Sequence, residues 1–177
     1  LYLSEERIGI AFKDLRKDVL IATKFGNGMG DGPNTRGASR HHIMQQVEGS
    51  LRALQTDYID LYMIHRPDAN TPMEETIRAM DDLVHQGKVR YIGCSNFKAW
   101  QLCEAQWTSK SLGLTPFVSA QPRYSMLDRT PEAELVPFCQ EYGVGILPYF
   151  PLENGFLTGK YKRGQAAPEG IRLAQND

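Results

Sequence analysis

The chain is poor in cysteine, has no long apolar run and carries no excess of either charge, and each shortage removes a class of protein. Cys94, Cys103 and Cys139 are odd in number and lack CxxC spacing, which argues against a disulfide scaffold or a CxxC metal or redox site. Three reduced, buried thiols in a cytoplasmic protein are the expectation. The longest apolar run, residues 19–22, is far short of the about 20 residues a membrane helix needs, and no basic stretch followed by an apolar one opens the chain. No membrane partner is expected. Twenty Lys+Arg stand against 21 Asp+Glu, a net charge of −1, and neither sign forms a block, so a general nucleic-acid binder is not expected either.

The dinucleotide fingerprint GxGxxG after a strand is also missing. Gly26, Gly28, Gly30 and Gly32 are spaced two apart, and Pro33 follows where a helix should open, so 26–37 reads as a long mobile loop.

What is present is an ordinary globular mixture, 41% hydrophobic and 23% charged over 177 residues. That suits one folded domain but falls short of the about 250 residues of a complete (β/α)₈ barrel. Apolar, β-branched or aromatic runs at 18–24, 58–65, 89–96, 116–121 and 144–152 read as strands buried on both faces. Helical patterns lie between them. Ser39 caps a helix with Ile43, Met44, Val47, Leu51 and Leu54 on one face and Gly49 at its centre. Thr71-Pro72-Met73-Glu74 reads as a capping box with proline at the first helical position, and Gly87 as the stop. Further helices are expected at 5–13 and 98–111, and a fourth crossover helix opens at Thr130-Pro131, turning Leu135, Phe138, Cys139 and Tyr142 inward. Strand ends recur at about the 30-residue spacing of βαβ units. Five such units fit an open doubly wound sheet or five-eighths of a barrel.

In either architecture, chemistry belongs at the carboxyl ends of the strands. Those ends are Lys24, His65, Ser95 with Asn96, Gln121, and Tyr149 with Phe150. Singly, each type also has an ordinary structural role: lysine snorkels, histidine sits satisfied in a core, and Ser-Asn caps a helix. Together they suit carbonyl chemistry: an ammonium and an imidazole beside a proton donor, amide-matching Ser, Asn and Gln, and a flat ring for stacking. Two loop aromatics, Phe25 and Trp100, suit a bulky apolar carbonyl compound, although Trp100 reads better as packing on its own helix.

The segments IATKFG, SLRALQTDYIDLYMIHRPD, LVHQGKVRYIGCSNF, FVSAQPRYS and PYFPLENGFLTGKY resemble the aldo-keto reductases, in particular the bacterial branch related to potassium-channel β subunits. The resemblance implies a (β/α)₈ TIM barrel in α/β class, a single domain over 1–177 with about five of eight βα units, without the first strand or strands, the last strand and the C-terminal segment. It implies an NADP(H)-dependent oxidoreductase that reduces an aldehyde or ketone, with Lys24 and His65 as catalytic residues. Tyr2 becomes the proton donor if a short glycine loop is missing between it and Ser4, and Lys24 would then lower its phenol pKa. The family's aspartate would precede Leu1. Ser95, Asn96, Gln121 and Tyr149 match the nicotinamide site. Phe150, where the family commonly has serine, opens the pyrophosphate-wrapping segment, continued by Pro151, Leu152, Asn154 and Lys160, with Arg172 beyond it. The other reading is a non-catalytic nicotinamide-binding regulatory subunit resembling the channel β subunits. No metal is implied, and the substrate and oligomeric state stay open.

Overall fold

A computed structural model describes residues 2–162 and 164. Five parallel strands, β1 (Ala22–Phe25), β2 (Ile59–Ile64), β3 (Val89–Ser95), β4 (Ser119–Gln121) and β5 (Gly145–Ile146), pair in the order β1-β2-β3-β4-β5. Five helices alternate with them: α1 (Leu3–Ala11), α2 (Arg40–Leu54), α3 (Met73–His85), α4 (Ala99–Leu112) and α5 (Leu135–Glu141). Each helix packs on the next in chain order. A doubly wound sheet reverses its strand order at a switch point and splits its helices between two faces. Here neither happens, and the unit is five successive strands of a (β/α)₈ barrel with its outer helical ring.

Alternation along the strands assigns the two faces. Phe25, Tyr62, Ile64, Ile92, Cys94 and Ala120 join the buried core under the helices, with Ile43, Val47, Ile77, Met80, Leu83 and Leu102 packing down on them. Their strand neighbours Lys24, Met63, His65, Gly93, Ser95, Ser119 and Gln121 therefore point to the opposite, barrel-inner face. That face is not dry throughout: Tyr91 is 59% and Leu147 43% exposed, so the expectation of strands buried on both faces holds only for parts of the sheet.

Several boundaries differ from those the sequence suggests. β1 starts at Ala22, not residue 18, because the Ile21 amide donates to the Asp60 carboxylate and Leu20 is turned out to solvent. That carboxylate also pairs with Arg16 at 2.7 Å. β4 is confined to 119–121 and β5 to 145–146; Pro122 and Pro148 have no amide hydrogen with which to extend the ladder, although Tyr149 regains a bridge to Arg123. The crossover at Thr130-Pro131 is a 3₁₀ turn (Thr130–Ala133) followed by α5, with a break at Glu134. Leu135 and Cys139 are buried there, whereas Tyr142 is exposed.

Capping is likewise mixed. Ser39 caps α2 by accepting the His42 amide. The capping box at Thr71 does not form, because the Thr71 hydroxyl donates instead to Asp68 and Pro72 occupies the cap position of α3. Of the cysteines, Cys94 and Cys139 are buried, as burial pushing both thiols up reflects, but Cys103 on α4 is exposed. Among the described residues no helix is long and apolar enough to cross a membrane.

Candidate functional site

The carboxyl ends of the strands open into one cavity of about 1630 Å³. Lys24, His65, Ser95, Asn96, Gln121, Tyr149 and Phe150 all line it, so the five strand ends singled out in the sequence do converge. Parallel pairing in register accounts for this. Lys24 lies opposite Met63, one residue before the end of β2, and Ser95 lies opposite Gln121. Successive strand ends are thereby brought to a common level.

The polar groups at this level form one chain of hydrogen bonds. Ser95 Oγ donates to the Gln121 carbonyl at 2.8 Å and accepts from Asn96 Nδ2. Asn96 sits at φ 60, and its Nδ2 also donates to the His65 carbonyl while its Oδ1 accepts the Tyr149 hydroxyl at 2.7 Å. Ser95, Asn96 and Tyr149 are thus held by one another. The Gln121 amide side chain makes no hydrogen bond among the described residues and is the carboxamide with capacity to spare.

His65 is held by a residue that the sequence did not single out. Asn27, in the loop after β1, places Nδ2 3.0 Å from His65 Nδ1. An amide nitrogen donates, so with the Asn27 amide placed in this way Nδ1 accepts and the neutral ring carries its hydrogen on Nε2. Burial, followed by the Lys24 and Arg66 charges, holds the His65 pKa below its usual value. The imidazole is neutral near pH 7, with one donor to offer. Burial also holds the Lys24 pKa below the usual lysine value. The loop that carries Asn27 is closed on itself and is less loose than its glycines suggest: Gly37 donates to the Gly26 carbonyl, and Thr35 Oγ1 lies 2.7 Å from the carbonyls of Gly30 and Gly32.

Tyr2 lies in a smaller adjoining cavity of about 390 Å³, which shares Lys24 and His65 with the larger one. Its hydroxyl donates to Gln46 Oε1 at 3.1 Å, and its ring lies against Gly49 of α2 in the space a Cβ would occupy. The phenol pKa is raised, by burial first and then by Glu5, while Arg52 and Gln46 oppose the rise. With the Tyr2 hydroxyl turned to α2, Lys24 is not among the groups that shift it in this arrangement. Two further aromatics are reassigned. Phe25 is 2% exposed and packs on Tyr62 at 5.0 Å between ring centroids. Trp100 is 61% exposed and lines the large cavity instead of packing on its helix.

Pro151, Leu152, Asn154 and Lys160 lie on the loop after Tyr149. Its backbone is left-handed at Phe150, Glu153, Asn154 and Gly155. Lys160 folds its ammonium across the place where a Cβ on Gly155 would stand, and the Asn154 Oδ1 is buried without a partner among the described residues. A charge poised over a side-chain-free backbone suits a phosphate group, whereas the Asn154 Oδ1 is an acceptor and has nothing to donate to one. Arg172 lies outside the described residues.

Comparison with known proteins agrees with this geometry. The sequence profile described as "Aldo/keto reductase family" matches residues 1–176. The chain belongs to the aldo/keto reductase family. It is 42% identical over 175 residues to the "Probable voltage-gated potassium channel subunit beta" of rice (Oryza sativa subsp. japonica), covering 97% of this chain and 53% of that protein. It is 41% identical over 164 residues to the "Uncharacterized oxidoreductase YrpG" of Bacillus subtilis, covering 90% and 49%. Over 125 residues it is 46% identical to the "Putative aryl-alcohol dehydrogenase AAD16" of Saccharomyces cerevisiae, covering 71% and 36%. The chain thus spans about half the length of the curated relatives it matches.

Proposed function

We propose that this chain carries the catalytic half of an NADP(H)-dependent oxidoreductase that reduces an aryl aldehyde or a similar ketone to its alcohol. The observation that carries this reading is the meeting of Lys24, a neutral His65 whose one donor is Nε2–H, and the Ser95-Asn96-Gln121-Tyr149 group in one cavity of a family member. Metal ligands play no part in the proposal.

The cofactor fits the residues present. Gln121 has a free amide for the nicotinamide carboxamide, the hydroxyl-anchored Tyr149 ring offers a face for stacking, and Lys160 with the backbone of 150–155 suits the pyrophosphate. A bound nicotinamide supplies the hydride. The chain's own residues do the rest. His65 Nε2–H donates to the substrate oxygen, where negative charge grows during reduction. Lys24 adds a positive field and, second to burial, helps to keep the imidazole neutral. Tyr2 is the candidate proton donor; it lines the smaller cavity with Lys24 and His65, and its hydroxyl must leave Gln46 to reach the larger one. Trp100 gives the substrate an aromatic surface, in keeping with the aryl-alcohol name of the yeast relative. The single domain over 1–177, the cytoplasmic location and a small-molecule partner are parts of this proposal.

Single-turnover reduction of benzaldehyde by the purified protein with NADPH, followed by loss of the reduced-nicotinamide absorbance, tests the reading. Turnover supports it. NADPH binding with no turnover across a panel of aldehydes and ketones would favour the second reading, a non-catalytic nicotinamide-binding subunit, which the name of the rice relative favours. Absence of NADPH binding would remove both.

A further inference from the structure

The loop 150–155 places three non-glycine residues, Phe150, Glu153 and Asn154, in the left-handed region, at φ 54, 46 and 53. L-residues adopt this conformation only where the surroundings over-determine it. The surroundings here are one carboxylate and the loop after β4. Glu153 is 7% exposed. Its Oε2 accepts from Arg123 Nη2 at 2.5 Å, and its Oε1 accepts from Ser125 Oγ at 2.6 Å. Ser125 Oγ in turn accepts the amides of Leu127 and Asp128, and Arg123 also lies 3.5 Å from Asp128. The turn 123–128 is therefore gathered around the Glu153 side chain. The same two loops meet again at the backbone, where Tyr149 N–H donates to the Pro122 carbonyl and Tyr124 N–H to the Tyr149 carbonyl.

The charge of Glu153 makes this arrangement informative. An unpaired carboxylate three residues from Phe150 would repel a pyrophosphate lying on this loop, so the position is an adverse one for an acid unless its charge is already used. Both oxygens are used, and the guanidinium that uses one of them comes from another loop.

We propose that Glu153 and Arg123 form a latch that positions the dinucleotide: the pair ties the loop after β5 to the loop after β4, holds the left-handed backbone open toward the phosphates, and cancels the acid's own charge. Neither residue touches the reacting atoms. The inference rests on the NADP(H) reading above and adds to it the two residues that shape the cofactor loop.

The test is a set of three variants of the purified protein, Glu153→Gln, Arg123→Met and the double variant, read by NADPH fluorescence titration, by single-turnover reduction at saturating NADPH, and by thermal midpoint. Glu153→Gln keeps an acceptor for Ser125 but loses the ion pair, and should weaken NADPH binding about ten-fold. Arg123→Met breaks the latch and also frees the carboxylate, and should weaken binding more. The double variant should be no worse than Arg123→Met, because the two residues act as one unit. Single-turnover rates at saturation should stay within about three-fold, a split between binding and chemistry that general loss of structure does not produce. Tighter binding in Glu153→Gln would show that Arg123 contacts the phosphates directly once released, and would overturn the latch. Equal binding in parent and variants, or rate losses that track a falling thermal midpoint, would overturn it as well while leaving the function reading in place. A parent that does not bind NADPH would remove both.

Discussion

His65 shows how far a single side chain depends on its neighbours. Its imidazole accepts from Asn27, is kept neutral by burial and by Lys24 and Arg66, and its backbone carbonyl holds Asn96. Removing the Lys24 charge should therefore raise the His65 pKa toward the ordinary value of about 6.5. In Lys24→Met, titration of the imidazole C–H resonances should move to higher pH, and carbonyl reduction should lose most of its rate while the thermal midpoint stays near that of the parent. A His65 titration that does not move would place Lys24 outside its field. Asn27→Ala should act through the tautomer. Without its donor, Nδ1 is no longer held as the acceptor, and a ten-fold fall in kcat, about 1.4 kcal/mol, is expected with NADPH affinity little changed. Unchanged turnover in that variant would show that the Asn27 contact does not orient the ring.

Among the elements, α2 joins fold and site most directly. Its outer turns follow simple rules: Ser39 caps it, Val47, Leu51 and Leu54 bury one face, and Gln55 closes it in the left-handed conformation. Its central Gly49 breaks the propensity rule for a positional reason, since the Tyr2 hydroxyl lies where a Cβ would stand. Gly49→Ala should gain up to about 1 kcal/mol of helix propensity and displace the Tyr2 ring, whose hydroxyl end is what the new Cβ would meet. The expected outcome is a thermal midpoint unchanged or slightly raised together with slower reduction. Loss of stability would mean that the ring cannot move, and an unaltered rate would count against Tyr2 as proton donor. Gly9 of α1 is different: a Cβ there would meet the backbone of Ala53 and Leu54, so α1 and α2 approach too closely for any side chain.

For the molecule as a whole, acid stability should be governed in part by two depressed histidines. His42 is fully buried, with Nδ1 3.1 Å from the Asn34 carbonyl and Nε2 without a partner among the described residues. A carbonyl only accepts, so Nδ1 carries the hydrogen and Nε2 faces the interior bare. Burial holds its pKa down, against a smaller opposing effect of the Asn34 hydrogen bond. The folded chain therefore stays neutral at His42 while the unfolded chain takes up a proton below about pH 6.5. The associated stability is complete above that value and is lost as pH falls through the window beneath it. His65 adds to the same trend. Urea unfolding at a series of pH values should show this slope between about pH 7 and 5, and His42→Asn, which keeps a donor for Asn34, should flatten it. An equal slope in parent and variant would show that His42 does not carry the linkage.

Periodicity and punctuation alone determine most of the architecture. Five apolar runs at βα spacing, Ser39 before its helix, and glycine at the ends of α3 and α4 are local signals, and local physics is enough to read them. The polar character of Lys24, His65, Ser95, Asn96, Gln121 and Tyr149 at strand ends was legible for the same reason, since parallel strands must deliver their last residues to one edge. Strand order and the sharing of one helical layer were not legible in that alternation, which serves an open sheet and a barrel alike until long-range pairing selects between them; the family resemblance alone implied the barrel, and the pairing bears it out. Tertiary structure alone also decided that Tyr2 faces Gln46, that Trp100 lines the cavity while Phe25 joins the core, and that Thr71 binds Asp68 instead of capping α3. The same holds for Asn27 on His65 and Arg123 on Glu153, partners 38 and 30 residues apart. Each is a choice among hydrogen-bond or packing partners far apart in the chain, and only the assembled sheet and loops bring the alternatives close enough to compete.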